Sequence, residues 1–525
     1  MVLALILGLA TQNPVPAQEQ AVDVLIKGGT IYDGTDGATG YVGDVAIIGD
    51  KIVYVGPSAR RSAKRTVDAQ GMIVSPGFID PHVHTGDDLT AADPARRTNV
   101  SNLAQGVTTN VIGVDGGGSP EVARTLDNMR SNGIGTNVAT YVGFGAIRQS
   151  VLGMDDRAPN AAELATMKSL VVKGMCEGAI GFSTGLFYAP QSYAKTEEVI
   201  ELAKEAAKRG GIYDSHQRDE GNGGPGSIGI QNSVKELIRI SKEAGMPGHF
   251  AHLKNSGVYS WGQSKEVIAL IEAARANGQI ITADQYPYLA SGGSITSIVM
   301  PRWALVGGRA ETLKRLDDPA VAPRLHEEMQ KFLLARGGGK NLVVIDKNSP
   351  LLGKSVADMA KTWDFSELDA AIRIYREGDP GMAIFAIGEE DLKAYLVKPW
   401  VMTGSDGSPG HPRRFGTFAT VYDTYVVQQK LLTVSQFIHR SSATAAQAMG
   451  LSGRGNLKVG NFADITVFDP NTYKPRSTYA EPILLASGVK TVLVNGKVAF
   501  EDGKATGVLA GLPLPHPPTP GTCPP

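Results

Sequence analysis

Apolar residues along the chain come in two rhythms. At both ends, short alternating runs are broken by glycine-aspartate turns. Residues 22–32, 43–49 and 51–56 behave this way, and 464–468 and 489–496 repeat the style far downstream. Alternation with a period of two places one face of a strand on a core, and the turn residues set hairpins. The two ends together predict one small discontinuous β-sandwich domain, spanning 18–70 and 451–508. Between them, continuous apolar stretches alternate with helical patterns. Eight strand candidates stand out, at 72–80, 108–113, 137–145, 179–185, 211–216, 248–254, 281–288 and 400–406. Helical periodicity separates most of them, as at 196–209, 234–244 and 264–277. Eight such β/α units predict an α/β fold, a (β/α)8 TIM-like barrel over 71–450. One gap is too long for a single helix. About 293–398 reads as an inserted helical segment over the barrel mouth.

The chain has 525 residues, long enough for a large barrel and a smaller domain. Lys+Arg 51 against Asp+Glu 52 leaves no basic excess, which argues against nucleic acid as a partner. Residues 2–10 form a short apolar run followed by Val15-Pro-Ala17, so 1–17 reads as a secretory signal and the protein as periplasmic or secreted. That run is too short to span a bilayer. The chain has two cysteines, Cys176 and Cys523. Cys523 lies in a proline-rich tail, 509–525, that reads as disordered. No disulfide framework is expected, and Cys176 reads as part of the barrel wall.

Polar residues with chemistry cluster at the carboxyl ends of the predicted strands, where a barrel carries its active site. Strand one ends in Pro76-Gly-Phe-Ile-Asp-Pro-His-Val-His84, placing His82 and His84 at i and i+2, on one side of an extended chain. Strand five ends in His216, strand six in His252-Leu-Lys254 and strand eight in Gly404-Ser-Asp406. Imidazoles and a carboxylate gathered in this way can hold one or two divalent metal ions, with zinc the leading choice. A bound metal lowers the pKa of water to about 7 and polarises a carbonyl, and Asp406 is placed to shuttle a proton.

Several segments in order carry a more specific signal. They are the run from Gly178 to Pro190, His216-Gln-Arg-Asp-Glu220, His252-Leu-Lys-Asn-Ser-Gly257, Asp284-Gln-Tyr-Pro-Tyr288 and Gly404-Ser-Asp-Gly407 followed by His411-Pro-Arg413. This set resembles the metal-dependent amidohydrolase superfamily and, within it, the N-acyl-D-amino-acid deacylase (D-aminoacylase) family. The resemblance implies His216 and His252 as ligands of a tightly held metal, and His82 and His84 as ligands of a second, weaker site. It implies Asp406 as metal ligand and catalytic acid/base, and Lys254, Arg413, Tyr188 and Tyr286 as holders of a substrate carboxylate. The implied reaction is metal-dependent hydrolysis of N-acyl-D-amino acids by metal-activated hydroxide, on a small-molecule amide bearing a carboxylate.

The chain departs from the family where a cysteine often ends strand two. Asp115 stands there, as a replacement ligand or as part of a glycine-rich turn, Asp115-Gly-Gly-Gly118. Strand four has no lysine to bridge two metals, which counts against a hydantoinase- or dihydroorotase-like site. Other readings remain open at this level: a dipeptidase, a cyclic-imide hydrolase, a xenobiotic amidase, or a metal-free scaffold. Tyr188 and Tyr286 could instead pack the mouth, and Arg413 could pair with an acid. The side-chain preference is not legible, although Arg302 and Arg309 in the insertion are candidates to meet an acidic group.

Overall fold

The computed structural model describes residues 21–221 and 223–524. The candidate signal at 1–17 lies outside the described residues. Among those described, no helix is long and apolar enough to cross a membrane.

Eight parallel strand positions follow one another in chain order. Phe78–Asp80, Val107–Ile112 and Asn137–Thr140 form one run. Val142–Gly143, Gly181–Gly185, Ile212–His216, Gly248–Phe250, Ile281–Gln285 and Val401–Thr403 form the other. Asn137–Thr140 and Val142–Gly143 are two halves of one strand, broken at Tyr141. The last strand returns to the first: Asp406 donates its amide to His82 O (2.8 Å) and His84 donates to Gly407 O (3.0 Å). Nearly every residue of these strands is buried, as expected for parallel strands covered by crossover helices. The helices Thr196–Ala207, Ile230–Ala244 and Ser264–Ala276 stand where the 3.6-residue period places them.

The predicted strand 72–80 is in fact two strands joined at Gly77. Ile73–Pro76 pairs with the terminal domain, and only Phe78–Asp80 enters the parallel set. A side chain at Gly77 would overlap Thr108, so glycine lets the chain pass closely from one sheet to the other. The two chain ends meet in one hydrogen-bonded sheet of nine strands, from Val22–Ile31 to Lys504–Ala505, around a shared apolar core. Phe78 joins the two domains: it is stacked on Phe418 and edge-on to Phe437 within the barrel span, and tilted against Phe468 of the terminal sheet (centroids 6.3 Å).

The insertion is not purely helical. It contains a three-stranded antiparallel sheet, Ser291–Gly293, Met382–Ile384 and Leu342–Val344, beside helices that share a separate core. Strands of three residues are too short to show alternation. The helix Glu389–Leu396, inside the predicted insertion, instead packs on Ser264–Ala276 in the outer helical layer.

The tail corrects the sequence reading most sharply. It is ordered from backbone pairing: Gly511 donates to Ile134 O, Val138 to Leu512 O, Leu514 to Val138 O and His516 to Gly178 O. It ends at a disulfide, Cys176–Cys523. Neither a disordered tail nor a free Cys176 survives. Proline and glycine content did not preclude order, because the tail borrows its partners from a neighbouring strand.

Candidate metal and catalytic centre

Among the described residues, three of the nine non-glycine residues with positive φ sit at the carboxyl ends of the parallel strands: Asp115 (55°), His252 (34°) and Asp406 (47°). Left-handed backbone at such positions costs about 1–3 kcal/mol each and persists only where the surroundings enforce it. Here they do. Gln191 donates from its side chain to Asp115 O (3.0 Å) and accepts from Gly185 N (2.6 Å). A side chain at Gly116 would collide with Gln191, which accounts for the glycine after Asp115. Asp80 accepts from Ser405 N (2.9 Å) and His82 N (3.3 Å), tying strand one to strand eight. Leu253 donates its amide to Asp284 O (2.8 Å), fixing the turn after His252.

These turns aim imidazoles and carboxylates at one point. Asp115 Oδ1 lies 3.5 Å from His82 Nε2, 3.6 Å from His252 Nε2 and 3.9 Å from His216 Nδ1. Asp115 Oδ2 is 3.4 Å from His84 Nε2, and Asp406 Oδ1 is 3.1 Å from the same nitrogen. His216 Nδ1 and His252 Nε2 are 2.9 Å apart. Among the described residues, two groups have metal-compatible spacing: His82, Asp115, His252 and Asp406, and His216, Glu220 and His252. Both nitrogens of His82, Oδ1 of Asp115 and Nε2 of His216 are buried with no hydrogen-bond partner. Buried polar atoms left unpaired are costly, and a cation among them would satisfy several at once. The donor set, imidazole with carboxylate, suits zinc and other divalent ions.

The charges reinforce this picture. Burial would raise the carboxyl of Asp406, but the Arg413 guanidinium and the His252 imidazole outweigh it and hold it well below the usual carboxylate range. Asp115 is likewise held low against burial, by His82 and His252. Burial opposes a proton on His84, yet Asp115 and Asp406 pull it up to about 9. Burial and Lys254 oppose a proton on His252, yet Asp406 and Asp115 pull it up to about 10. His216 goes the other way, pushed down to about 3 mainly by burial, and stays neutral.

All ten sequence-derived site residues fall in or directly beneath one cleft of about 370 Å³. His84, Asp115, Tyr188, His216, His252, Lys254, Asp406 and Arg413 line it. His82 forms part of the floor, its Nδ1 3.8 Å from Asp284 Oδ2. Tyr286 lies off the cleft wall, its ring 4.8 Å from the Arg413 guanidinium carbon. Arg413 does pair with an acid, and that acid is Asp406 (Nη1–Oδ2, 2.8 Å). Its Nη2 donates to Ser408 Oγ (3.1 Å). Lys254 Nζ donates to Glu220 Oε1 (2.6 Å) and lies 2.8 Å from His252 Nδ1. Tyr188 Oη lies 3.3 Å from His216 Nδ1.

Sequence reasoning gave no role to Glu220, Gln191, Asp80, Asp284 or His249. Glu220 is four residues after His216 and 3.3 Å from His252 Nδ1. That i+4 carboxylate was the available signal. His249 Nε2 is 2.9 Å from Asp284 Oδ2, beneath His82. Glu177 serves locally, accepting from Ala123 N and pairing with Lys173.

The amidohydrolase family matches residues 364–500. D-aminoacylase from Alcaligenes xylosoxydans xylosoxydans is 32% identical over 95% of this chain and 98% of its own length. A solved D-aminoacylase structure, studied for the functional role of its binuclear metal centre, superposes with a TM-score of 0.80. It has 31% identity and covers 94% of this chain and 100% of its own. N-acyl-D-glutamate deacylase from Bordetella bronchiseptica, solved with zinc and a phosphonate mimic of the tetrahedral intermediate, gives a TM-score of 0.79. Its identity is 29%, over 94% of this chain and 100% of its own. With the cleft and these relatives together, the chain belongs to the D-aminoacylase (N-acyl-D-amino-acid deacylase) family of the amidohydrolase superfamily.

Proposed function

We propose that this protein hydrolyses the amide bond of N-acyl-D-amino acids, giving a carboxylate and a free D-amino acid. The observation that carries the reading is the convergence of four imidazoles and two carboxylates in one cleft, with His82, Asp115 and His216 holding buried atoms that lack partners. His216, His252 and Asp115 would hold the principal divalent ion, and His82, His84 and Asp406 a second. Zinc is our choice of ion. When bound, it supplies Lewis acidity toward the acyl carbonyl and lowers the pKa of water.

The remaining work falls to side chains. Asp406, kept ionised by Arg413 and facing His84, accepts the proton of the attacking water. The same carboxyl then delivers that proton to the departing nitrogen as the carbon–nitrogen bond breaks. Arg413, Lys254 and Tyr188 line the cleft with donors for the substrate carboxylate. Tyr286 backs the Arg413 guanidinium from beneath. Holding that carboxylate on one side of the scissile bond is what distinguishes a D- from an L-centre.

We read the cyclic order of the parallel strands, and the backbone bonds from strand eight to strand one, as a closed (β/α)8 barrel. Export to the periplasm or beyond draws support from the Cys176–Cys523 disulfide, since such bonds persist in oxidising compartments.

The test is direct. Purified protein supplied with zinc, cobalt or manganese is offered N-acyl-D- and N-acyl-L-amino acids, and free amine is measured. Release from the D-series alone is expected. No release from any of them would overturn the reading.

A further inference from the structure

Beside the cleft lies a second and larger cavity, of about 660 Å³. The two share a wall of three residues, Phe187, Tyr188 and Ile298. The cavity is roofed by the insertion and is predominantly apolar, with Met154, Met300, Trp303, Leu305 and Phe332 among its lining residues. An acetyl or methyl group would leave most of it to water.

The charged side chains on its wall are already engaged. Arg302 donates to Phe187 O (3.2 Å) and Arg218 O (2.7 Å), and lies over the Phe187 ring. Arg309 donates to Tyr375 O (2.5 Å) and stacks on that ring. Arg324 pairs with Glu328 (2.8 Å) above Trp303. Asp379 accepts from Ser294 Oγ (2.8 Å). The two arginines that the sequence offers for an acidic substrate group are therefore spent on main-chain carbonyls and aromatic faces.

We propose that this chamber receives a bulky, uncharged apolar arm of the amide substrate and selects against an acidic arm in the same place. The inference rests on the deacylase reading above. Each methylene buried there would raise kcat/KM by about fourfold, the factor that corresponds to removing one CH2 from water. The arm is either the acyl chain or the amino-acid side chain, and both present the same chemistry to the wall.

The experiment compares kcat/KM of the zinc-loaded, full-length protein on five amides. N-acetyl-D-alanine is the reference. N-acetyl-D-phenylalanine and N-acetyl-D-glutamate vary the side chain, and N-octanoyl-D-alanine and N-succinyl-D-alanine vary the acyl group. For one arm, the apolar version is expected to exceed the reference at least tenfold while its acidic counterpart does not exceed it. That result also identifies the arm. In Met154→Trp and Leu305→Trp, which fill the chamber, the ratio of apolar to reference substrate should fall at least tenfold.

Binding of the same amides to full-length Asp406→Asn, followed by calorimetry, gives a readout independent of turnover. If the parent turns over none of the amides but this variant binds the apolar arm preferentially, and Met154→Trp in that background abolishes the preference, the reaction assignment falls and the chamber stands. If turnover occurs with no apolar gain on either arm, with an equal gain for the acidic arm, or with ratios unmoved by both tryptophans, the chamber inference is overturned.

Discussion

Replacing Asp115 with asparagine isolates charge from shape. Asparagine tolerates left-handed backbone, so φ of 55° at this position adds little strain in the variant. The side chain keeps its size and one oxygen. Only the negative charge is lost, from a carboxylate 3.4–3.9 Å from four imidazole nitrogens. Two unit charges about 4 Å apart interact by about 4 kcal/mol at an effective dielectric of about 20. Keeping half of that, because a neutral amide oxygen remains as a weak ligand, leaves about 2 kcal/mol, or roughly a 30-fold loss in zinc affinity. The assay is zinc competition against a chromophoric chelator at pH 7, with thermal melting of the zinc-free proteins as a control for folding. Asp115→Gly keeps the turn and removes every ligand atom, and should weaken zinc further. If Asp115 only shapes the glycine turn, both variants bind zinc like the parent. An affinity within threefold of the parent for Asp115→Asn would refute the ligand assignment.

Three further outcomes are expected. Asp406→Asn should lower kcat by about 10²–10⁴, the range for a positioned acid/base, with circular dichroism of the variant as the control for folding. A loss under tenfold in steady-state rates would remove Asp406 from that role. Zinc uptake should release protons: His84 and His252, raised to about 9 and about 10, are protonated at pH 7 without metal, and a ligating imidazole must be neutral. Affinity should therefore rise with pH up to that range, with about two protons released at pH 7, read by calorimetry in buffers of different ionisation enthalpy. An affinity that is flat from pH 6 to 8 would contradict this. Cys523→Ser should lower the guanidinium midpoint, because the cross-link spans 347 residues and the chain-entropy limit for such a loop is about 6 kcal/mol. An unchanged midpoint would mean that the tail adds nothing to global stability.

Much of the centre is legible in the sequence because its residues sit at strand ends. Continuous burial marks the strands, and a polar residue that breaks each run marks its carboxyl end. His82, His216, His252 and Asp406 all follow that rule. Glu220 escaped because a carboxylate in a run of charged residues resembles a solvated face. Only the fold turns it back toward His252 and Lys254. Gln191 escaped for a different reason. Its work is done on the main chain of Asp115 and Gly185, and no side-chain motif records such a contact. The tail was misread because local composition describes only what a segment can do alone. Its order comes from Ile134, Val138 and Gly178, more than 330 residues away in the chain.

The strained backbone at Asp115, His252 and Asp406 connects these observations. None of the three is glycine, so each carries a steric penalty that a glycine would avoid, and each uses a side chain that glycine lacks. The cost is tolerated because the loops are held by groups that touch no substrate: Gln191 behind Asp115, Asp80 between His82 and Ser405, and Asp284 O beneath Leu253. These supports come from different strands, so the placement of the three side chains depends on several strands together rather than on any one loop. A site built this way holds its imidazoles and carboxylates close together, at 2.9–3.9 Å. It also sets the Asp406 carboxylate beside Arg413, so that carboxylate is oriented by the protein itself.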